Sequence, residues 1–302
     1  MEFLKWLESI RTPFLDIFFS LITKLGEETF LILIGTFILW CMNKKKGYYL
    51  LTVGFFGLLV NQFVKITARV PRPWVKDPSL TVVESARAEA TGYSFPSGHT
   101  QMSVGLFGGL VRSLRRNWLR GICLVFAVLI PFSRMYLGVH TPADVLVSVA
   151  FACLLVFGVY PVIDKNFENR KVMNLLFSGL AGLATGYVLY VSVYPFPADT
   201  DLANLQNALE NAYKILGAIL GIWAGYWIDD RFVNYDTEAV WWAQIIKHIG
   251  GVTLFLGLRL GLKAALPALL GNHAFVGALR YFLMFGIMIG VWPMVFRFFP
   301  KK

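Results

Sequence analysis

Uninterrupted apolar stretches, not alternating ones, dominate this chain. Residues 47–64, 145–163, 172–198 and 281–296 contain no Asp, Glu, Lys or Arg. Each approaches the roughly 20 residues that carry a helix across a hydrocarbon core. Shorter runs at 29–43, 121–133, 215–228 and 249–258 borrow polar residues at their ends or line a protein interior. A membrane barrel shows alternating segments of about ten residues, so these continuous runs predict helices. The pattern predicts an all-α, polytopic bundle with about nine spans, near 27–42, 48–68, 99–114, 119–138, 142–163, 172–194, 212–228, 244–262 and 275–296. Before them, residues 1–25 mix Glu2, Lys5, Glu8, Arg11 and Asp16 with Phe, Trp, Leu and Ile. That mixture predicts an amphipathic interfacial helix followed by a short buried segment. It lacks the basic start and small-residue cleavage site of a secretory signal.

Composition strengthens the membrane reading. Of 302 residues, 57% are hydrophobic and 15% charged, with a mean hydropathy of +0.61, too apolar for an ordinary soluble domain. The net charge of +10 does not point to nucleic acid, because the basic residues cluster in short loops beside apolar runs. Every second loop carries them: Lys44, Lys45 and Lys46; Arg112, Arg115, Arg116 and Arg120; Lys165, Arg170 and Lys171; Arg231; and Arg297, Lys301 and Lys302. The positive-inside rule assigns that side to the cytoplasm. Loops at 69–98, 139–141, 195–211 and 263–274 then face outside, or an organelle lumen. Cys41, Cys123 and Cys153 are isolated in apolar runs without metal-like spacing and read as packing residues. With no repeat and no long linker, the chain reads as one membrane domain, 1–302, made of an interfacial segment (1–25), a catalytic helical core (26–164) and additional transmembrane helices (165–302).

Three polar groups stand at the outer ends of consecutive spans. Lys65 closes the uncharged run 47–64, and Arg72-Pro73 follows. Pro96-Ser97-Gly98-His99 comes next, and Ser133-Arg134 precedes His140 and Asp144. A lysine at membrane depth snorkels or takes an anionic partner, and arginine forks match phosphate oxygens. Ser97 is a candidate N-cap, and Gly98 allows close approach to the N–H groups of a helix start. In Thr141-Pro142-Ala143-Asp144, a Thr cap, Pro at the first position and Asp at the third form a capping box, which places His140 within reach of Asp144. A histidine oriented by a carboxylate attacks phosphorus, and a second histidine protonates the leaving oxygen. Singly, each group has a plainer reading: a snorkelling lysine, a loop arginine, a turn into a helix, a structural cap. Their joint occurrence on one membrane face favours catalysis.

These eleven residues, Lys65…Arg72-Pro73, Pro96-Ser97-Gly98-His99 and Ser133-Arg134…His140…Asp144, resemble the complete three-part signature of the type-2 phosphatidic acid phosphatase superfamily. The resemblance implies His140 as nucleophile, Asp144 as its partner and His99 as general acid. It implies Lys65, Arg72, Ser97, Gly98 and Arg134 as phosphate ligands, with no metal and no cofactor. Gly26-Glu27-Glu28-Thr29-Phe30, an apolar run ending in Trp40 and a C-terminal half of further helices are similar to sphingosine-phosphate phosphatases and, in span count, to the glucose-phosphatase branch.

The expected function is metal-independent hydrolysis of a lipid phosphate monoester, of sphingoid-base or phosphatidate type, through a phosphohistidine at the non-cytoplasmic face. The expected partners are the lipid substrate and membrane lipids, not nucleic acid; oligomeric state is open. A prenyl or undecaprenyl diphosphate phosphatase is the alternative enzyme, followed by a sugar-phosphate phosphatase. A phospholipid-phosphate transporter or flippase is the alternative of another class, disfavoured because binding alone needs no paired nucleophile and acid. Arg259 interrupts an apolar segment toward the outer side and either contacts the headgroup or snorkels with Lys263. Ser133 either caps or orients. His248 and His273 read as interfacial, and loop 74–91 either covers the site or is plainly solvated.

Overall fold

A computed structural model describes residues 1–301 of the protein; Lys302, one of the C-terminal basic positions, lies outside the described residues. The described residues contain helices and no strand. In chain order these are α1 (Glu2–Ser9), α2 (Pro13–Lys24), α3 (Glu28–Cys41), α4 (Lys44–Ala68), α5 (Pro73–Lys76), α6 (Glu84–Glu89), α7 (Gly98–Ser103), α8 (Gly109–Ser113), α9 (Asn117–Tyr136), α10 (Pro142–Asn166), α11 (Arg170–Val193), α12 (Leu202–Ile228), α13 (Trp241–Leu270) and α14 (Ala274–Gly286). Among the described residues, six helical stretches are long and apolar enough to cross a membrane: Lys44–Lys76, Asn117–Tyr136, Pro142–Asn166, Arg170–Val193, Trp241–Leu270 and Ala274–Phe298. The other three expected spans take different forms. α3 has 14 residues, α12 carries Glu210 and Lys214 as an ion pair, and α7 joins α8 through a π turn at Val104–Gly108.

The chain forms two compact units. The first comprises Met1–Ile32, Tyr49–Pro161 and Phe196–Ala208. α1 is the amphipathic helix expected, and it does not run on: Thr12 caps the second helix by accepting from Leu15 N, and Pro13 occupies its first turn. Nor is that second helix a buried segment. It buries Phe19 and Thr23, while Phe14, Ile17 and Leu21 point outward at 76, 63 and 60% exposure. Asp16, Ser20 and Lys24 recur one turn apart on one face, and the apolar residues of the helix divide between the protein and the outside.

Leu4, Leu7 and Phe19 pack with Leu80, Ala86, Tyr136, Leu137 and Val139 into one buried cluster. Loop 74–91 is therefore tied down and not simply solvated, with α5 and α6 at its ends. Val83 N donates to Leu137 O, Arg11 Nη1 donates to Thr81 O at 2.8 Å, and Lys5 pairs with Asp77 at 2.8 Å. Gly138 closes α9 with φ +80°, and a Cβ there would sit 2.7 Å from Arg11 Nη2. Only glycine fits that turn without strain, and the turn presents His140.

The second unit comprises Leu33–Tyr48, Val162–Pro195 and Leu209–Lys302. Gly217, Gly221 and Gly225 recur one helical turn apart on α12 and let the chain segment 278–290 approach closely. A Cβ at Gly217 would lie 2.0 Å from Ala278 O, the small-residue packing by which membrane helices associate. Lys44 pairs with buried Asp229 at 3.0 Å. Lys247, 1% exposed, donates to the carbonyls of Asp236 and Thr237 at 3.1 and 3.2 Å.

Candidate active site

The first unit contains every residue of the three-part signature. The capping box forms at the start of α10: Thr141 N donates to Asp144 Oδ2 at 2.8 Å, and Asp144 N donates to Thr141 Oγ1 at 3.3 Å. The same Oδ2 lies 3.3 Å from His140 Nδ1 and accepts from Ser94 Oγ at 2.6 Å. His140 and Asp144 are each 2% exposed. Val139 N and His140 N both donate to Arg134 O at 3.2 Å, so the α9 terminus and the α10 cap hold the imidazole from both sides.

Arg72 defines the tautomer. Its Nη1 lies 3.0 Å from His140 Nε2, and a guanidinium only donates, so Nε2 is the acceptor and Nδ1 carries the proton toward Asp144. Burial, reinforced by Arg72, Arg134 and Lys65, holds the His140 pKa well below the ordinary 6.5. The ring is thus a neutral imidazole whose Nε2 lone pair is aimed at a cation, the geometry in which an anion held by that cation meets a nucleophile.

Carbonyls fix the cations. Arg72 donates Nε to Gly92 O at 3.0 Å, Nη2 to Thr91 O at 2.7 Å and Nη1 to Val139 O at 3.1 Å. Lys65 Nζ donates to Tyr93 O at 2.9 Å. Arg134, 1% exposed, donates Nη1 to Thr23 Oγ1 at 2.8 Å, and its Nε has no partner. Ser97 caps α7, with Oγ accepting from Thr100 N and from Thr100 Oγ1 at 2.9 Å. A Cβ on Gly98 would stand 3.7 Å from Asn61 Oδ1. Ser133 takes no part in this network: its Oγ donates to Ile130 O of its own helix at 2.6 Å.

Three residues that linear spacing did not single out belong to this region. Ser94 braces Asp144. Asn61 lies one turn before Lys65 on α4, fully buried, with neither amide atom partnered. Glu27, noted only for its motif, joins Glu89 and His99: one ligand atom from each lies within 4.8 Å of the others. A three-donor group absent from the linear spacing is therefore assembled by folding, and its donor types suit a cation. Arg259 is exposed on α13 of the second unit. His248, also there, sits edge-on to Phe37, and His273 stacks on Phe275.

A helical membrane protein with a carboxylate-held histidine among buried cations defines a class of anion-processing enzymes. The comparisons give the family. Residues 45–168 match the PAP2 superfamily, and residues 213–301 match the PAP2 superfamily phosphatase, transmembrane extension. The chain belongs to the PAP2 superfamily. Sphingosine-1-phosphate phosphatase 1 of Mus musculus is 27% identical over 216 residues, covering 68% of this chain and 47% of that protein. Sphingosine-1-phosphate phosphatase 2 of Homo sapiens is 26% identical over 264 residues, covering 84 and 61%. Undecaprenyl-diphosphatase BcrC of Bacillus subtilis (strain 168) is 32% identical over 116 residues, covering 38 and 56%. The chain spans about half the length of the curated relatives it matches first. No solved structure matches the chain.

Proposed function

We propose that the protein hydrolyses lipid phosphate monoesters without a metal, through a phosphohistidine on His140. The observation that carries this reading is the pairing of His140 Nδ1 with Asp144 while Nε2 faces Arg72 at 3.0 Å. A substrate phosphate bound by Lys65, Arg72 and Arg134, with Ser97 and Gly98 beside it, takes over the Arg72 fork and brings phosphorus to Nε2. His140 Nε2 forms the N–P bond as the ester P–O bond breaks, and His99, which takes up a proton as the phosphate anion binds beside it, gives that proton to the departing alkoxide. Water then attacks the phosphohistidine, His99 takes a proton back, and inorganic phosphate leaves. The buried cations are worth most where the phosphoryl charge is redistributed.

The similarity to sphingosine-1-phosphate phosphatases favours a single-chain lipid phosphate. The similarity to an undecaprenyl-diphosphatase supports a diphosphate substrate as the second reading. The test is phosphate release by the purified full chain from sphingosine 1-phosphate, phosphatidate, undecaprenyl diphosphate and glucose 6-phosphate. Release from the first two, abolished in His140→Ala, is expected. Binding or transbilayer movement of these lipids without release would replace the enzyme with a transporter. The basic loops support an outward-facing site: a cysteine at exposed Ser79 reacts with an impermeant thiol reagent from outside and one at exposed Asn117 does not. The reverse labelling would put the chemistry on the cytoplasmic side.

A further inference from the structure

α4 and α7 meet through two glycines, each opposite an amide of the other helix. A Cβ at Gly57 would lie 2.9 Å from the Gln101 amide, and one at Gly98 would meet Asn61 Oδ1 at 3.7 Å. The fold treats the two amides differently. Gln101 reaches α10: in the orientation that satisfies both of its ends, Nε2 donates to Ser148 O at 3.0 Å and Oε1 accepts from Ala152 N at 3.2 Å. Asn61 is fully buried, and neither Oδ1 nor Nδ2 has a partner. It stands inside the span Lys44–Lys76, where no bulk water serves it, and a buried amide left without partners costs stability. An apolar side chain would avoid that cost, so packing does not account for the amide.

Its neighbours show what it is placed to meet. Lys65 follows one turn later on the same face of α4, and Gly98 faces it from α7; both are phosphate ligands in the reading above. The space that a side chain on Gly98 would fill is walled by the Asn61 amide. A half-turn of that amide exchanges Oδ1 and Nδ2, and an oxygen drawn into the space then lies within hydrogen-bond reach of an N–H, about 3 Å. A carboxylate in the same place would repel phosphate, and a fourth cation would add to the charge that Lys65, Arg72 and Arg134 already bury. A neutral donor adds a contact without either penalty.

Taking the hydrolase reading as given, we propose that Asn61 is a further phosphate ligand: its Nδ2 donates to a non-bridging phosphoryl oxygen held between Lys65 and Gly98. Bound substrate and bound inorganic phosphate offer the same oxygen. The contact therefore strengthens binding of both and adds little to the chemical step, because ground state and transition state share it.

The experiment uses the full chain in detergent and measures the competitive inhibition constant of inorganic phosphate, kcat, and melting with and without phosphate. The proteins compared are the wild type, Asn61→Leu, Asn61→Asp and Gln101→Leu. A hydrogen bond to a charged partner corresponds to about ten- to hundredfold in binding. The constant for Asn61→Leu should rise by that factor while kcat stays within about threefold, and the variant should melt no lower than wild type without phosphate. Asn61→Asp should bind phosphate more weakly still, because its charge faces the anion. Gln101→Leu should melt lower and keep the wild-type constant. An unchanged constant in Asn61→Leu overturns the proposal and leaves Asn61 to packing; should that variant not fold, a wild-type constant in Asn61→Asp, polar and of the same shape, overturns it equally. An equal rise in Gln101→Leu also overturns it, because any disturbance of the α4–α7 contact would then weaken the site. In each of these cases the hydrolase reading stands if the wild type releases phosphate. A wild type that neither hydrolyses a lipid phosphate nor is stabilised by inorganic phosphate overturns both.

Discussion

Asp144→Asn isolates charge from shape, because the side chain keeps its volume. In the native site Oδ2 meets three donors: Ser94 Oγ at 2.6 Å, Thr141 N at 2.8 Å and His140 Nδ1 at 3.3 Å. An asparagine oxygen still accepts from all three, so the cap and the tautomer persist. What disappears is the negative charge facing an imidazole that turns cationic as Nε2 bonds to phosphorus. Two unit charges 3.3 Å apart interact by about 5 kcal/mol at an effective dielectric near 20. That energy corresponds to roughly 10³- to 10⁴-fold in rate. The phosphohistidine should form that much more slowly in Asp144→Asn, read by acid-quenched single-turnover kinetics with ³²P-labelled lipid. KM should change far less, because the charge matters in the transition state and not in the bound ground state. A variant within tenfold of wild type would show that Asp144 acts only as a cap, and the nucleophile assignment would lose its main support.

Four further outcomes follow. Since burial and Arg72, Arg134 and Lys65 keep His140 neutral, the acid limb of kcat/KM should lie below pH 6.5, and Arg72→Gln should move it upward; a limb at or above 6.5 in the wild type refutes this. The same lowered pKa means the unfolded chain binds the proton first, so stability should decline as pH falls below about 6.5, measured by melting in detergent. Asn61→Leu should leave the protein as stable or more so, because an unpartnered buried amide costs about 1–3 kcal/mol, while raising KM if the amide serves bound phosphate; a stability loss without a kinetic change would assign Asn61 to packing. Arg259→Gln is expected to raise KM more than it lowers kcat for substrates with large polar heads, and unchanged kinetics would leave Arg259 as an interfacial anchor.

What the sequence by itself determined is whatever rests on local spacing or on solvent preference. Long uncharged runs specify helices in lipid, because backbone groups there must bond within their own segment. The Thr141–Asp144 box and the Ser97 cap were legible because a cap bonds two or three residues onward, and with the box came the His140–Asp144 pair. The amino-terminal break at Thr12-Pro13 was equally local but was masked by an apolar pattern running through it. Tertiary structure alone decided the rest. Ser94 reaches Asp144 across 50 residues, Thr23 reaches Arg134 across 111, and Glu27, from the turn between α2 and α3, meets Glu89 of α6 and His99 of α7 only in the folded chain. No periodicity encodes such meetings, because they depend on which faces of separate helices are buried together. The buried cations could be named from a motif, but the carbonyls that aim Arg72 at His140 Nε2 could be found only in the folded chain.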